Sequence, residues 1–219
     1  MTSRPMITLY DYTLSGSCYK VRLLLKFLGL DYRRELIDFY PGREHKTPDF
    51  LDINPLGQLP VLRDDGDGQG ENAVLLRDAQ AILCHLANKY DATHHWLPRD
   101  ARFGQVMMWL MFAGGELMAS SAARLHDVMG YQLDVIDARS KAHAALRVLE
   151  DHMTQRELLG HKWIVGDTPT LADVACFPYI MLSGDGGIGH EDYPALRNWM
   201  GHFRRLEGFH PMPGVPEFV

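Results

Sequence analysis

Apolar and polar positions divide the chain into two territories. Near the start, Met6-Ile7-Thr8-Leu9-Tyr10 is an apolar run of strand length. It breaks at Ser15-Gly16-Ser17-Cys18, after which Val21, Leu24, Leu25 and Leu28 recur at helical spacing. Gly29 supplies a helix stop, and Tyr32-Arg33-Arg34-Glu35-Leu36-Ile37 reads as a second strand. Residues 40–52 are polar and carry Pro41, Gly42 and Pro48, which predicts a loop with one short helix. Pro60 precedes Val61 and Leu62; a proline cannot donate to a sheet ladder, so it belongs at a strand's first residue or in a turn. Ala73-Val74-Leu75-Leu76 is the returning strand of a hairpin whose loop, 64–72, is rich in glycine and acid. Asp78 then opens a helix with Ala81, Ile82, His85 and Leu86 along one face.

Beyond a polar connector at 92–100 no strand pattern recurs. One long helical stretch is expected over 103–128 and another over 131–159, with Val135, Ala142, Leu146 and Leu149 in register. Thr170-x-x-Asp173 is a capping arrangement ahead of Val174-Ala175-Cys176-Phe177, and 194–206 is amphipathic. The proline-rich tail from Gly208 is expected to be extended. The order β-α-β-α-β-β-α followed by helices predicts an α/β unit over 1–90, a linker at 91–100 and an all-α unit over 101–219.

Composition narrows the functional classes. The 219 residues are 46% hydrophobic and 23% charged, as in ordinary globular proteins. The net charge of −6 comes without any block of lysine or arginine, which argues against nucleic acid and anionic membranes as partners. No uninterrupted apolar run approaches the about 18 residues of a membrane span, and Met1 to Pro5 shows no signal-peptide pattern. Cys18, Cys84 and Cys176 are odd in number and far apart, which fits a reducing, cytoplasmic compartment better than a disulfide framework. The eleven histidines form no metal-ligand motif, so no metal is expected. Asp65-x-Asp67 resembles the start of a calcium loop but lacks the acid at the twelfth position, and reads as a turn. Gly184 to Gly189 fits G-x-G-x-x-G but follows a helix rather than a strand, and reads as a loop.

The chemistry concentrates at 15–18. A strand feeding a helix through a small, hydroxyl-rich turn presents free N–H groups and a positive dipole end, which suits an anion such as a thiolate. Helix capping by Ser15 or Ser17 explains the same residues, and both readings stay open at this point.

Four segments carry a family resemblance. The run Tyr12-Thr13-Leu14-Ser15-Gly16-Ser17-Cys18-Tyr19-Lys20-Val21-Arg22 is similar to the first-helix opening of the glutathione transferase superfamily. Asn54-Pro55-Leu56-Gly57-Gln58-Leu59-Pro60-Val61-Leu62 resembles its proline loop, Asp78-Ala79-Gln80-Ala81-Ile82 its third-helix opening, and Thr170-Leu171-Ala172-Asp173 its C-terminal capping box. The resemblance implies a thioredoxin-like glutathione-binding domain followed by an all-helical domain that contributes the electrophile site. It also implies a homodimer.

Carried over residue by residue, the resemblance to serine-using members (theta-, zeta- and nu-like) assigns Ser15 as the hydroxyl that donates to the glutathione sulfur. Ser17 is a second candidate donor, with helix capping as its alternative. Cys18 lies where the second cysteine of a thioredoxin-type pair would be, with Ser15 replacing the first, and reads as a structural thiol, with a mixed disulfide to glutathione as the alternative. Leu59, ahead of a cis Pro60, would pair its backbone with the cysteinyl unit. Asp78 would meet the γ-glutamyl ammonium, and Ala79 departs from the family's serine, removing one donor to the γ-glutamyl carboxylate. His45, Lys46 and Gln58 would serve the glycyl end, unless they are solvated loop residues. Met107, Met108, Met111 and Phe112 would line the electrophile site, with core packing as the alternative. The implied activity is conjugation of glutathione, the co-substrate, to a hydrophobic electrophile in detoxification. A glutathione-dependent disulfide or peroxide reductase and a non-catalytic glutathione-binding or interaction protein are the alternatives.

Overall fold

The computed structural model describes residues 7–66 and 73–215. Met6, most of the expected hairpin loop, Asp67 of the calcium-like run and the end of the proline-rich tail lie outside the described residues.

The first half is a four-stranded sheet with helices on both faces. In chain order it comprises β1 (Ile7–Asp11), α1 (Gly16–Phe27), β2 (Tyr32–Leu36), a 3-10 turn (Glu44–Lys46), α2 (Pro48–Ile53), β3 (Val61–Asp64), β4 (Val74–Leu76) and α3 (Ala79–Tyr90). The strand order is β2-β1-β3-β4, with β1 parallel to β2 and antiparallel to β3, and β3 antiparallel to β4. Alternation along the strands decides the layers. Ile7, Leu9 and Leu62 face the main core with Leu24, Leu25, Ile82 and Leu86 of α1 and α3. Tyr10 and Val61 face the opposite side, where Ile37 and Phe50 build a small second cluster under α2.

The second half is helical: α4 (Arg102–Gly114), α5 (Met118–Met129), α6 (Val135–Leu158), α7 (Leu171–Met181), a 3-10 turn (Ser183–Gly186) and α8 (Pro194–Arg204). The long helix expected over 103–128 is instead two. The Gly114-Gly115 pair ends α4, and the Leu117 N–H closes back on the Phe112 carbonyl at 3.1 Å. Taken together, 102–129 is long and apolar enough to cross a membrane by length and composition, but it packs as two helices against α6 and α7.

The main core runs without interruption from the sheet into the bundle. Helix α7 is buried along its whole length, and α1 packs on both α3 and α7. The connector is fastened at Trp96, whose ring stacks on Phe27 at 5.0 Å and whose carbonyl accepts the Leu171 N–H at 2.8 Å. The capping box at Thr170 and Asp173 is present, and Asp173 also accepts from Ile164 N at 3.1 Å and Trp199 Nε1 at 2.9 Å.

Candidate functional site

Where the two halves meet, a cleft of about 510 Å³ opens over the N-terminus of α1. Ser15 is the N-cap of that helix, and its Oγ accepts the Cys18 N–H at 3.2 Å. The helix opens on Gly16 and Ser17, whose N–H groups precede the first intrahelical bond, Tyr19 N to Ser15 O. Gly16 lies against α7: a Cβ there would stand 3.4 Å from the Tyr179 ring, in ordinary van der Waals contact.

The turn ahead of Ser15 is clamped from both halves. Buried Asp11 holds Arg22 at 2.5 Å, and Arg22 donates to the Thr13 carbonyl at 3.1 Å. From α5, Arg124 donates to the Leu14 carbonyl at 2.6 Å while pairing with Asp185 at 2.9 Å. Ser17 is tied across the interface as well: its Oγ lies 2.5 Å from the Tyr179 hydroxyl of α7. Burial pushes the Tyr179 phenol up to about 12, so it stays protonated near neutral pH. Ser120 donates to the Tyr179 carbonyl, fastening that end of α7 to α5.

Cys18 is fully buried, and its thiol is pushed up to about 12, chiefly by burial and then by the Asp11 charge. A thiol so placed is a poor nucleophile at neutral pH, which agrees with a structural role.

The second wall comes from the proline loop. The Leu59–Pro60 peptide is cis, and both residues line the cleft with Gln58. Gly57 has φ +55 and passes so close to His45 that a Cβ would meet the His45 carbonyl at 2.7 Å, so glycine satisfies both demands. Lys46 reaches the same loop and donates to the carbonyls of Gly57 at 3.0 Å and Leu56 at 3.3 Å. Its ammonium is therefore partly engaged already. His45 is buried, stacked on Phe39 at 4.0 Å, and its Nδ1 has no partner among the described residues. Burial first, then Lys46 and Arg43, lower its pKa and favour the neutral ring.

At the third wall Asp78 caps α3, accepting the Ala81 N–H through Oδ1 at 2.9 Å. Ala79, Arg77 and Gln80 line the cleft beside it. The residues expected around glutathione (Ser15, Ser17, His45, Lys46, Gln58, Leu59, Pro60, Asp78 and Ala79) thus converge on one cavity.

The expected electrophile residues do not. Met107, Met108, Met111 and Phe112 are absent from the cleft lining. Met108 and Met111 are 56% and 57% exposed on the outer side of α4, Met107 packs on the core, and Phe112 borders a separate groove toward α6. The break after Gly114 is the reason: it redirects the chain, so α5 rather than α4 supplies the helical wall, through Met118, Leu125 and Met129. Tyr131 completes it, stacked parallel to Phe39 at 6.2 Å. Tyr179 and Arg124 were also missed by the sequence reading. Tyr179 had a usable signal, as a lone hydroxyl in an otherwise apolar helical run, and Arg124 as a cation set among Ala122, Ala123 and Leu125.

Among the described residues no group of histidine, cysteine and acid side chains is arranged to hold a metal ion. The site is chemically a helix N-terminus with two hydroxyls, flanked by an acid, a neutral imidazole and an apolar wall.

Comparison with known proteins gives this arrangement a context. Residues 14–89 match the family described as glutathione S-transferase, N-terminal domain, and residues 95–202 the corresponding C-terminal domain. Glutathione S-transferase GstB of Escherichia coli is 31% identical over 199 residues, covering 89% of this chain and 91% of that protein. The disulfide-bond oxidoreductase YfcG of the same organism is 27% identical, covering 89% and 88%. A glutathione transferase homolog from Lodderomyces elongisporus, solved with two glutathione molecules per subunit, superposes with a TM-score of 0.82 at 25% identity, covering 92% and 94%.

Proposed function

Since the chain belongs to the glutathione S-transferase family, we propose that it conjugates glutathione to a hydrophobic electrophile, with Ser15 stabilising the glutathione thiolate. The observation that carries this reading is the Ser15 hydroxyl at the mouth of α1. Its oxygen already accepts the Cys18 N–H, so its own proton is left to donate into the cleft. A charge-assisted hydrogen bond of that kind, added to a helix N-terminus, supports about one to two units of thiol pKa lowering from the free value of about 8.5. Ser15 needs no general base, because it stabilises an anion and attacks nothing.

The neighbouring groups support the same placement. Tyr179, protonated and buried, shares a hydrogen bond with Ser17; with the phenol as donor, the Ser17 proton is available to the sulfur. Asp78 keeps its second carboxylate oxygen for an ammonium, as the γ-glutamyl end requires. His45, whose Nδ1 has no partner among the described residues, lines the end of the cleft suited to the glycyl carboxylate, with Lys46 beside it. The electrophile then packs on Met118, Leu125, Met129 and Tyr131, where methionine side chains adapt to varied shapes. Proximity and thiolate stabilisation supply the rate enhancement. The outward apolar side chains Phe103, Met108 and Met111 suit burial against a second copy of the chain, as the family resemblance implies.

Ser15→Ala is expected to lower turnover of an aryl halide at least about tenfold while glutathione binding persists. Unchanged turnover would remove Ser15 from this role.

A second reading, reduction of disulfides by glutathione, is favoured by the Ser15 and Ser17 hydroxyl pair and by the likeness to YfcG. With Cys18 buried and its thiol pushed up to about 12, such a reaction would run through glutathione sulfurs alone. Assay of mixed disulfides against aryl halides decides between the two.

A further inference from the structure

Beneath the cleft floor lies a titratable group that the proposed chemistry leaves unused. Lys20 sits one turn after Ser17 on α1, on the same helix face. Its side chain is fully buried, and its Nζ has no hydrogen-bond partner among the described residues. That nitrogen stands 3.7 Å from the centroid of the Tyr179 ring, whose hydroxyl meets Ser17 Oγ at 2.5 Å. One aromatic ring therefore lies between the lysine and the hydroxyl pair of the cleft.

The surroundings make its charge state sensitive. Desolvation disfavours the ammonium and lowers Lys20 to about 7, with Cys176 and Asp78 opposing. Helix α7 contributes Cys176 and Tyr179 to this neighbourhood, α3 contributes Asp78 at its N-cap, and α1 contributes Cys18, which acts on Tyr179. Burial pushes the Tyr179 phenol and the Cys18 thiol up to about 12 and the Cys176 thiol higher still. Among these groups Asp78 is the only carboxylate, so a new negative charge in the cleft changes the balance felt by Lys20.

We propose that Lys20 compensates the glutathione thiolate, gaining a proton as the thiol bound at Ser15 and Ser17 loses one. This rests on the glutathione reading of the cleft. The balance is simple. The S–H bond breaks with its electron pair staying on sulfur and its proton passing to water, while the neutral Lys20 amine uses its lone pair to take a proton from water. Lys20 Nζ has no hydrogen-bond partner among the described residues, so the coupling is electrostatic and reciprocal: each charge stabilises the other. Lys20 acts from behind Tyr179 and Ser17 without touching the sulfur, and is in that sense a positioning residue.

The test is a proton count on the full chain at about pH 8, where Lys20 in the empty cleft is mostly neutral. Calorimetric titrations of glutathione and of S-methylglutathione in two buffers of different ionisation enthalpy give the protons released. Ultraviolet thiolate absorbance gives the thiolate formed. The wild type is expected to form thiolate with almost no net proton release, and S-methylglutathione to release none. Lys20→Met is expected to release about one proton per thiolate formed, with the thiol midpoint raised by about one unit. Lys20→Arg, permanently charged, is expected to release protons likewise but to keep the low midpoint. Wild-type release equal to the thiolate formed overturns the proposal, a result that needs no variant to fold. In that case binding of both ligands leaves the glutathione reading standing. If neither ligand binds, or glutathione binds without ionising, the reading of the cleft fails and the proposal with it.

Discussion

The Ser15 oxygen has one lone pair engaged by the Cys18 N–H, and its proton is left for another acceptor. The Ser17 hydroxyl is paired with that of Tyr179, a residue 162 positions away in sequence. Tyr179→Phe keeps the ring under Lys20 but removes the hydroxyl partner of Ser17. It is expected to reduce kcat about fivefold, the worth of roughly one hydrogen bond, with the KM for glutathione little changed. Steady-state kinetics with an aryl halide would show it, and an unaltered kcat would detach Tyr179 from the hydroxyl pair. Ser15 and Asp78 were legible in the sequence because a helix cap leaves a local signature, a small polar residue ahead of an apolar repeat. Met107, Met108, Met111 and Phe112 were misplaced because helical spacing says which residues share a face, not what that face meets. Met107 and Met111 do share one, four residues apart, yet it looks away from the cleft.

Among the elements, α7 is the post on which both halves hang. Buried from end to end, it starts at the Thr170–Asp173 box and carries the Tyr179 hydroxyl in its last turn. Asp173 is pushed up to about 6 by burial, against hydrogen bonds from Thr170, Ile164 and Trp199 that hold it down. Asp173→Ala would leave those buried donors without an acceptor and is expected to cost about 3–5 kcal/mol, measurable as a lowered urea midpoint. A loss below about 1 kcal/mol would mean that water replaces the carboxylate. The capping box was readable four residues at a time. The break between α4 and α5 was not, since no proline marks it, and Gly114-Gly115 with Glu116 were its signs.

On the scale of the whole molecule, the cleft exists because two units share one core. Strand-then-helix order and the change of pattern after 92–100 foretold those units. Their mutual wall was illegible, because Arg124, Met129 and Tyr179 come to Ser15 only through packing across more than a hundred residues of sequence. Arg124 stitches the halves together, joining α5 to the Leu14 carbonyl and to Asp185. Arg124→Leu is expected to lower kcat/KM by about tenfold to a hundredfold through misplacement of Ser15. Retention of full kcat/KM would show that Arg22 alone holds the turn.

The most direct measurement is the ionisation midpoint of the thiol of bound glutathione, read from thiolate absorbance across pH in the wild type and in Ser15→Ala. The wild-type midpoint should fall at least about one unit below the free thiol's value of about 8.5, and the variant should recover most of that difference. Identical midpoints in the two proteins would contradict the role given to Ser15.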